Sequence, residues 1–319
     1  TGAQNTAVGL GALGGNTTAD NNTAVGFLAL TANTTGTGGT AVGYNALATN
    51  TTGNYNVAIG NVALNLNTTG ASNTAMGLSA LEQNTTASNG TALGFRALKL
   101  NTTGANNTAL GFESLTANTT GTGNTAVGRD AGRTITTGDY NTTVGLDSLE
   151  LTTTGDNNTA VGYYALEANT TASNNTAVGR SALAANTTGD LNVAVGSNAL
   201  QTNVLGDRST AIGHGALTLQ NPASNVDMNN VAVGLNAGAS ATTGTTSTFI
   251  GAEAGNSLTT ATNCLFLGYQ SGLAGSPGGA ITTQVNTVVL GDENVGACNI
   301  QVDWTVASDQ RDKTDFTAL

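Results

Sequence analysis

The sequence predicts an all-β fold, a parallel β-solenoid built from coils of 17 residues. A pentad of the form Asn-Thr-Ala-Val-Gly recurs with its closing glycine every 17 residues from Gly9 to Gly213. The units are rich in Thr, Val, Asn and Gly, which are poor helix formers. Seventeen residues are also too few for a helical hairpin, so each unit is expected to be one coil of short strands and turns.

The repeat defines one elongated body and a different tail. Later steps between closing glycines are longer, 21 residues from Gly213 to Gly234 and 23 from Gly268 to Gly291. We therefore expect a shaft of about 17 coils over residues 1–298, with bulging loops in the units near 214–234 and 269–291. Residues 299–319 abandon the repeat and are expected to form a neck and the truncated start of another domain.

Counting from the asparagine of the pentad, the repeat has seventeen positions. The fourth is always apolar and the second is mostly Thr or Val, and alternation along a strand gives these two the same side. We expect them to fill the inside of the coil. The third position then points outward, and it is alanine in thirteen of the first fourteen units. A column of such small side chains predicts close approach of another copy of the chain. The expected trimer-packing residues are Ala7, Ala24, Ala41 and Ala58.

The rest of the unit predicts a second strand and a turn. A second short strand is expected to end in Ala-Leu, with the leucine completing the interior, as at Leu30. The Asn-Thr-Thr-Gly segments that follow have turn chemistry, and their asparagines can form ladders between coils. The Asn-Thr-Thr triplets also match the N-glycosylation sequon, which is the alternative interpretation.

Composition limits the partners. The net charge is -11, which argues against nucleic acid and anionic membranes as partners. No apolar run is long enough to span a bilayer, so we expect no membrane insertion. Cys264 and Cys298 occupy different phases of the repeat, which argues against a disulfide and against a metal site. We expect no cofactor and no metal. A start at Thr1 without methionine or leader suggests a fragment or a processed product.

Two pentads carry a family resemblance. Asn56-Val57-Ala58-Ile59-Gly60 and Asn192-Val193-Ala194-Val195-Gly196 resemble the head repeats of trimeric autotransporter adhesins, whose motif is Asn-Ser-Val-Ala-Ile-Gly. The resemblance covers roughly residues 5–295 and implies a left-handed parallel β-roll in which three chains pack side by side. The period departs from the family, whose usual unit is shorter.

The tail carries a second resemblance. The segment from Trp304 to Lys313 resembles the junction at the start of the peptidase S74 intramolecular chaperone of phage tail fibres and tailspikes, with the pattern Ser-Asp-x-Arg-Leu-Lys. Asp312 replaces the usual leucine. The resemblance implies Ser308 as the nucleophile of self-cleavage and Lys313 as the base that activates it. The rest of the chaperone does not follow in this chain, so we expect no enzyme activity.

Candidate binding residues lie in the two longer units, and they are Asn221, Pro222, Asp227, Ser276 and Pro277. His214 could bind a metal on a threefold axis, although a histidine without metal is favoured. Tyr44, Tyr163, Phe27, Phe95 and Phe112 follow closing glycines and could form a sugar-binding stripe or pack between protomers. Glu82, Glu150 and Glu167 lie in separate coils, which does not favour the carboxylate pair of a glycosidase.

These observations predict a structural and adhesive fibre, the shaft and distal part of a phage tail fibre. Its expected partners are two further copies of itself, a host cell-surface glycan or protein, and other tail-fibre or virion proteins. The expected location is the virion, or otherwise the extracellular space or cell surface. The alternatives are a bacterial trimeric surface adhesin or extracellular filament, and an ice-binding β-solenoid. The ice-binding alternative needs a regular outward Thr-x-Thr array, which the adjacent Thr-Thr pairs do not provide.

Overall fold

The computed structural model describes residues 2–273, 276 and 279–296. These residues form a parallel β-solenoid and contain no helix. Each pentad supplies one three-residue strand, because Thr and Val favour extended backbone and the glycine ends the strand. The strands are β1 Thr6–Val8, β2 Thr23–Val25, β3 Thr40–Val42, β4 Val57–Ile59, β5 Thr74–Met76, β6 Thr91–Leu93, β7 Thr108–Leu110, β8 Thr125–Val127, β9 Thr142–Val144, β10 Thr159–Val161, β11 Thr176–Val178, β12 Val193–Val195, β13 Gly206–Asp207, β14 Thr210–Ile212, β15 Val226–Asp227, β16 Val231–Val233, β17 Thr248–Ile250, β18 Leu265–Leu267 and β19 Val288–Leu290.

The pentad strands stack in register into one sheet. Seventeen strands pair in parallel along the rod, each with the strand one coil away, while the short β13 and β15 form a separate pair. Equivalent residues face each other throughout, as Ala24 faces Ala41 and Val25 faces Val42. Each pentad strand contacts only the strands of the adjacent coils, so the first and last coils of the sheet are far apart. One side-chain hydrogen bond within the described ranges spans two coils, from Asn225 Nδ2 to the Thr188 carbonyl at 3.3 Å.

The expected orientation of the strands is wrong. From the second coil onward the third-position alanines point into the coil and are fully buried, whereas the second and fourth positions point outward and are half-buried or exposed. The interior of a 17-residue coil must also hold an alanine and a leucine from the turn and two columns of asparagine side chains. The strand can add only a small side chain to that space.

The expected second strand is also wrong, although its leucine does complete the core. The segment after the glycine is a run of turns in which the seventh and ninth residues have positive φ, as in Leu28 and Leu30, both at 52°. Leu30, Leu47 and Leu64 are fully buried. A left-handed backbone conformation disfavours leucine by roughly 1–2 kcal/mol. Burial of the side chain offsets that cost.

The closing glycine is required by the stack. Gly162 has φ of 137°, and a Cβ there would lie 2.6 Å from the carbonyl oxygen of Gly179 in the next coil. The same relationship repeats from Gly9 to Gly251. Only glycine tolerates both the positive φ and the close approach of the neighbouring backbone.

Two columns of amides line the interior. In the twelfth position, Asn50 Nδ2 donates to Asn33 Oδ1 at 2.9 Å and to the Gly53 carbonyl at 3.0 Å. In the first position, the backbone N–H of Asn73 donates to Asn56 Oδ1 at 3.0 Å. Buried polar groups are stable when every donor and acceptor has a partner, and these columns provide one in nearly every coil.

Where the core leucine is missing, another side chain fills the space. In the eighth coil Gly132 replaces the leucine, and Ile135 occupies the twelfth position in place of asparagine. Toward the C-terminal end Gly255 and Gly272 replace the leucine. There Phe249 and Phe266 take the alanine position and stack at 5.5 Å inside the coil. The loss of third-position alanine after Ala232 is therefore a repacking of the interior.

The first longer unit forms a loop, as expected, and the second is described only in part. In the first, Pro222 and Met228 are buried, and the residues between them are exposed. β15, within this loop, pairs with β13 and so extends the coil at this point. The second longer unit contains Ser276, whose Oγ accepts from the Gly272 N–H at 2.8 Å and donates to the Gln270 carbonyl at 3.1 Å.

Candidate functional site

The outward face of the sheet is the most unusual surface of the described residues. We define the sheet face as the second and fourth positions of the seventeen pentad strands. The fourth position is aliphatic or methionine in every one of them, and the second is Thr, Val or Leu. The sheet face therefore carries no charged residue over the whole rod.

Much of the sheet face is apolar and open to solvent. In the fourth position Leu93 is 49% exposed and Leu267 is 44% exposed. The sixth position, which follows the glycine at one end of the strands, adds exposed large side chains. They are Leu10, Phe27, Tyr44, Leu78, Phe112, Leu146, Tyr163, Leu235 and Tyr269. An exposed apolar strip of this length is typical of an interaction surface.

Stacked rings order part of the sixth position. The rings of Phe27 and Tyr44 are parallel with centroids 5.4 Å apart, and those of Phe95 and Phe112 are 5.1 Å apart. These residues are the predicted aromatic stripe. The structure brings these four rings together in two pairs. Tyr163 lies one coil after Leu146 in the same column.

The charged residues lie off the sheet face, and three of them, Arg129, Arg180 and Asp292, occupy the sixth position beside it. In the tenth position Lys99 Nζ is 3.8 Å from Glu82, and the Arg133 guanidinium pairs with Glu150. Glu167 follows Glu150 in the same column. Partial burial, and next the charge of Glu150, raise the pKa of Glu167. Like charges in adjacent coils are therefore tolerated at some cost to the folded state.

The predicted trimer-packing column is not available to a partner. Ala24, Ala41 and Ala58 are fully buried within a single chain. Ala7 is exposed only because β1 pairs on one side, with β2. The assignment of these alanines to trimer packing is wrong because the strand is turned the other way. The sequence signal that identifies the outward face is the unbroken aliphatic fourth position.

The predicted loop residues divide into exposed and buried. Asn221 and Asp227 are exposed, and Asp227 Oδ2 accepts from Arg208 at 2.5 Å. Pro222 and Ser276 are buried, so their side chains support the loops from inside. Direct contact of these two with a receptor is not supported. Pro277 lies outside the described residues, as do the proposed junction residues Ser308 and Lys313 and also Cys298.

The side-chain amides of the asparagines in the Asn-Thr-Thr triplets are buried and hydrogen-bonded. Asn33, Asn50 and Asn67 are at most 1% exposed, and their Nδ2 atoms donate within the interior column. A glycan on Nδ2 would have no room in the stack. The geometry favours the turn and ladder interpretation of these triplets.

Sites for metals or acid catalysis do not assemble in the part of the chain that is described. His214 is exposed in the sixth position, and no group of three or more His, Cys, Asp or Glu side chains within these ranges could hold a metal ion. A groove of about 330 Å³ crosses the sheet near the C-terminal end. It is lined by Thr246, Thr248, Asn263, Cys264, Leu265, Asn286 and Val288, and these include no carboxylate.

Comparison with models of known protein families gives no match, and no curated protein is significantly similar in sequence. Within the described ranges, no helix has the length and apolar character needed to cross a membrane. The function therefore has to be argued from the geometry of the rod and its surfaces.

Proposed function

We propose that the protein is a structural and adhesive fibre, in which copies of the rod associate through the sheet face into a homotrimer. The observation that carries this proposal is the uncharged outward face, with an aliphatic residue or methionine in the fourth position of every pentad strand. A rod in water has no reason to keep such a column clear of charge unless another surface covers it.

The dimensions suit self-association. Seventeen strands at about 4.8 Å give a length of roughly 80 Å. A strip about 10 Å wide then offers roughly 800 Å², which is what each partner of a standard stable interface contributes. The chain carries a net charge of -11, but the second and fourth positions that form the sheet face hold no charged side chain, so copies can approach through them without direct repulsion. In a trimer each sheet face would meet the faces of both neighbours, so the roughly 800 Å² that each copy buries is divided between two partners.

The test is the solution mass, measured by light scattering on a size-exclusion column. We expect three times the 31.4 kDa of one chain. The double variant Met76→Glu/Leu93→Glu should dissociate to monomer, because buried like charges oppose assembly. Both side chains are exposed in the single chain, so the coil itself should still fold.

The matched control is Leu66→Glu/Leu219→Glu. These leucines are 43% and 48% exposed but occupy the eleventh position, away from the sheet face. The control should keep the mass of the unaltered protein. A monomeric unaltered protein, or equal dissociation of both variants, would refute assembly through the sheet face.

A specific observation keeps the ice-binding alternative open. The second-position threonines of the strands point outward from the sheet and recur in register from coil to coil, contrary to the inward direction expected from the sequence. The array is nevertheless Thr-x-aliphatic, not Thr-x-Thr. A monomer that shows thermal hysteresis would favour this alternative over the fibre.

The phage assignment and the virion location rest on the resemblance of residues 304–313 to the chaperone junction. A bacterial adhesin predicts a coiled-coil stalk and a membrane anchor downstream of residue 319, and a phage fibre predicts a chaperone there. Sequencing the next hundred or so codons separates the two, within the usual domain size of about 100 residues.

A further inference from the structure

Two tyrosines stand out from the surface at the same phase of the repeat. Tyr55 is 67% exposed and Tyr140 is 64% exposed, and both occupy the seventeenth position, just before the strand. Each ring lies over a glycine of the preceding coil. A Cβ on Gly38 would be 2.7 Å from Tyr55 Cδ1, and a Cβ on Gly123 would be 2.7 Å from Tyr140 Cδ1.

The surroundings of the two rings are repeated as well. The Tyr55 N–H donates to the Thr37 carbonyl at 2.9 Å, and Thr37 Oγ1 donates to Asn54 Oδ1 at 3.3 Å. The equivalent bonds join Tyr140 to the Thr122 carbonyl at 2.9 Å and Thr122 Oγ1 to Asp139 Oδ1 at 3.1 Å. The same arrangement of Thr, Gly, Asx and Tyr thus occurs twice. The coils between the two copies have other residues at these positions.

Folding does not explain these tyrosines. Both have positive φ, 58° and 55°, which disfavours a bulky residue, and the same position holds asparagine in several other coils, as in Asn89 and Asn157. Leu191 and Arg208 also occupy it, but without a glycine one coil before them. With two thirds of its surface in water, each ring stabilises the coil little. Each also needs a glycine beneath it, which costs conformational entropy. A costly arrangement, here an exposed tyrosine over a glycine, that is built twice without a gain in stability is typical of a functional site.

We propose that Tyr55 and Tyr140 are two platforms of one binding site for a neutral polysaccharide. The open face of a tyrosine ring stacks against the C–H face of a sugar ring, while its hydroxyl stays in water and can hydrogen-bond. The hydroxyl of Thr37 and the amide of Asn54 beside Tyr55 are polar and uncharged, and the carboxylate of Asp139 beside Tyr140 accepts hydrogen bonds and repels anions. A net charge of -11 disfavours anionic glycans and nucleic acid.

The spacing makes the site bivalent. Tyr55 and Tyr140 are five coils apart, which is about 24 Å along a rigid rod. A polysaccharide long enough to span that distance contacts both rings, and the second contact is then intramolecular. The seventeenth position also lies at the opposite end of the strands from the sixth-position column. This inference rests on the proposed fibre only in that the rings must stay accessible in the assembly.

The experiment is affinity electrophoresis in native gels that contain dextran, laminarin or xyloglucan, with alginate as the anionic comparison. We expect at least one neutral polysaccharide to retard the protein. Tyr55→Ala or Tyr140→Ala should each weaken the apparent affinity by at least about tenfold, and the double variant should migrate as in a plain gel. Tyr55→Phe/Tyr140→Phe keeps the stacking faces and should still be retarded.

Leu191→Ala is the matched control, since Leu191 occupies the same column, is exposed and also has positive φ. It should leave retardation unchanged. The proposal is overturned if no neutral polysaccharide retards the protein, if only alginate does, or if the double alanine variant is retarded equally. It is also overturned if that variant loses its oligomeric mass, which would place the rings between copies. Tyrosine-dependent retardation of a monomeric protein would instead refute the fibre and keep the site.

Discussion

Ile135 lies one coil after Asn118 in the twelfth-position column and leaves the buried Oδ1 of Asn118 without a hydrogen-bond donor. From Asn33 to Asn118, the Nδ2 of each asparagine in the column donates to the Oδ1 of the asparagine one coil earlier. The last of these bonds runs from Asn118 Nδ2 to Asn101 Oδ1 at 2.6 Å. The coil that breaks this chain is the one in which Gly132 replaces the core leucine. The isoleucine fills the space that the missing leucine leaves, and the orphaned oxygen is the consequence.

This exchange predicts strong coupling among three substitutions. Ile135→Asn alone gives Asn118 its donor but opens a cavity beside Gly132, and should cost about 2–4 kcal/mol. Gly132→Leu alone overpacks against Ile135 and Thr143 and should cost about 1–3 kcal/mol. The triple variant Gly132→Leu/Ile135→Asn/Thr143→Ala restores the common coil and should equal or exceed the unaltered protein. Urea unfolding of all variants measures this, and simple additivity of the three effects would contradict it.

The closing glycine should be irreplaceable. Gly162→Ala introduces a Cβ at φ of 137°, 2.6 Å from the Gly179 oxygen, so we expect a loss of several kcal/mol, about 1–3 from backbone strain alone. Gly14→Ala is the control, because Gly14 does not have positive φ and its nearest contact would be 3.2 Å. Thermal unfolding followed by circular dichroism should show a large drop in Tm for the first variant and a small change for the second.

One surface leucine should be easy to improve. Leu191 has φ of 60° and is 47% exposed, at a position where several other coils have asparagine. Leu191→Asn should raise the free energy of unfolding by roughly 0.5–1 kcal/mol, since asparagine tolerates the left-handed conformation better. Leu151→Asn, at a leucine of similar exposure without positive φ, should bring no gain. Equal responses of the two sites would refute the backbone explanation.

The acidic column should show a pH-dependent stability. Burial, and next the charges of Glu150 and Asp147, raise the pKa of Glu167 above its ordinary value of 4.5. A raised pKa means that the folded protein holds its proton more tightly than the unfolded chain. Stability from this group is thus present below about pH 4.5 and is lost as the pH rises through the folded-state pKa.

Glu167→Gln should therefore stabilise the protein at pH 7, and the gain should vanish near pH 3. Urea midpoints at the two pH values measure the difference. Glu82→Gln is the control, since Glu82 lies next to Lys99 and its removal should bring no gain at pH 7. A gain for Glu167→Gln that persists at pH 3 would show that charge is not the cause.

The period of the closing glycines predicts the parallel solenoid, because at that position φ is positive and a Cβ would collide with the backbone of the next coil. The direction of the side chains was not predictable from alternation alone. Both Ala41 and Val42 are apolar, so the pattern does not say which faces inward. The decision depends on how much space the turn leucine and the asparagine columns leave. The Gly38 and Tyr55 pair was visible in the sequence as a co-occurrence one period apart, but its exposure required the structure.

Since each pentad strand pairs only with the strands of its two neighbouring coils, removing or duplicating one whole 17-residue unit among the regular coils joins surfaces that already fit. The near-identical repeats also offer a ready register for recombination between copies of the gene. The length of the rod can thus increase or decrease in steps of about 4.8 Å while the contacts between adjacent coils stay the same in kind. A unit inserted or removed between Tyr55 and Tyr140 would change their separation in the same steps, so the spacing of the two tyrosines can vary without a change in either one's surroundings.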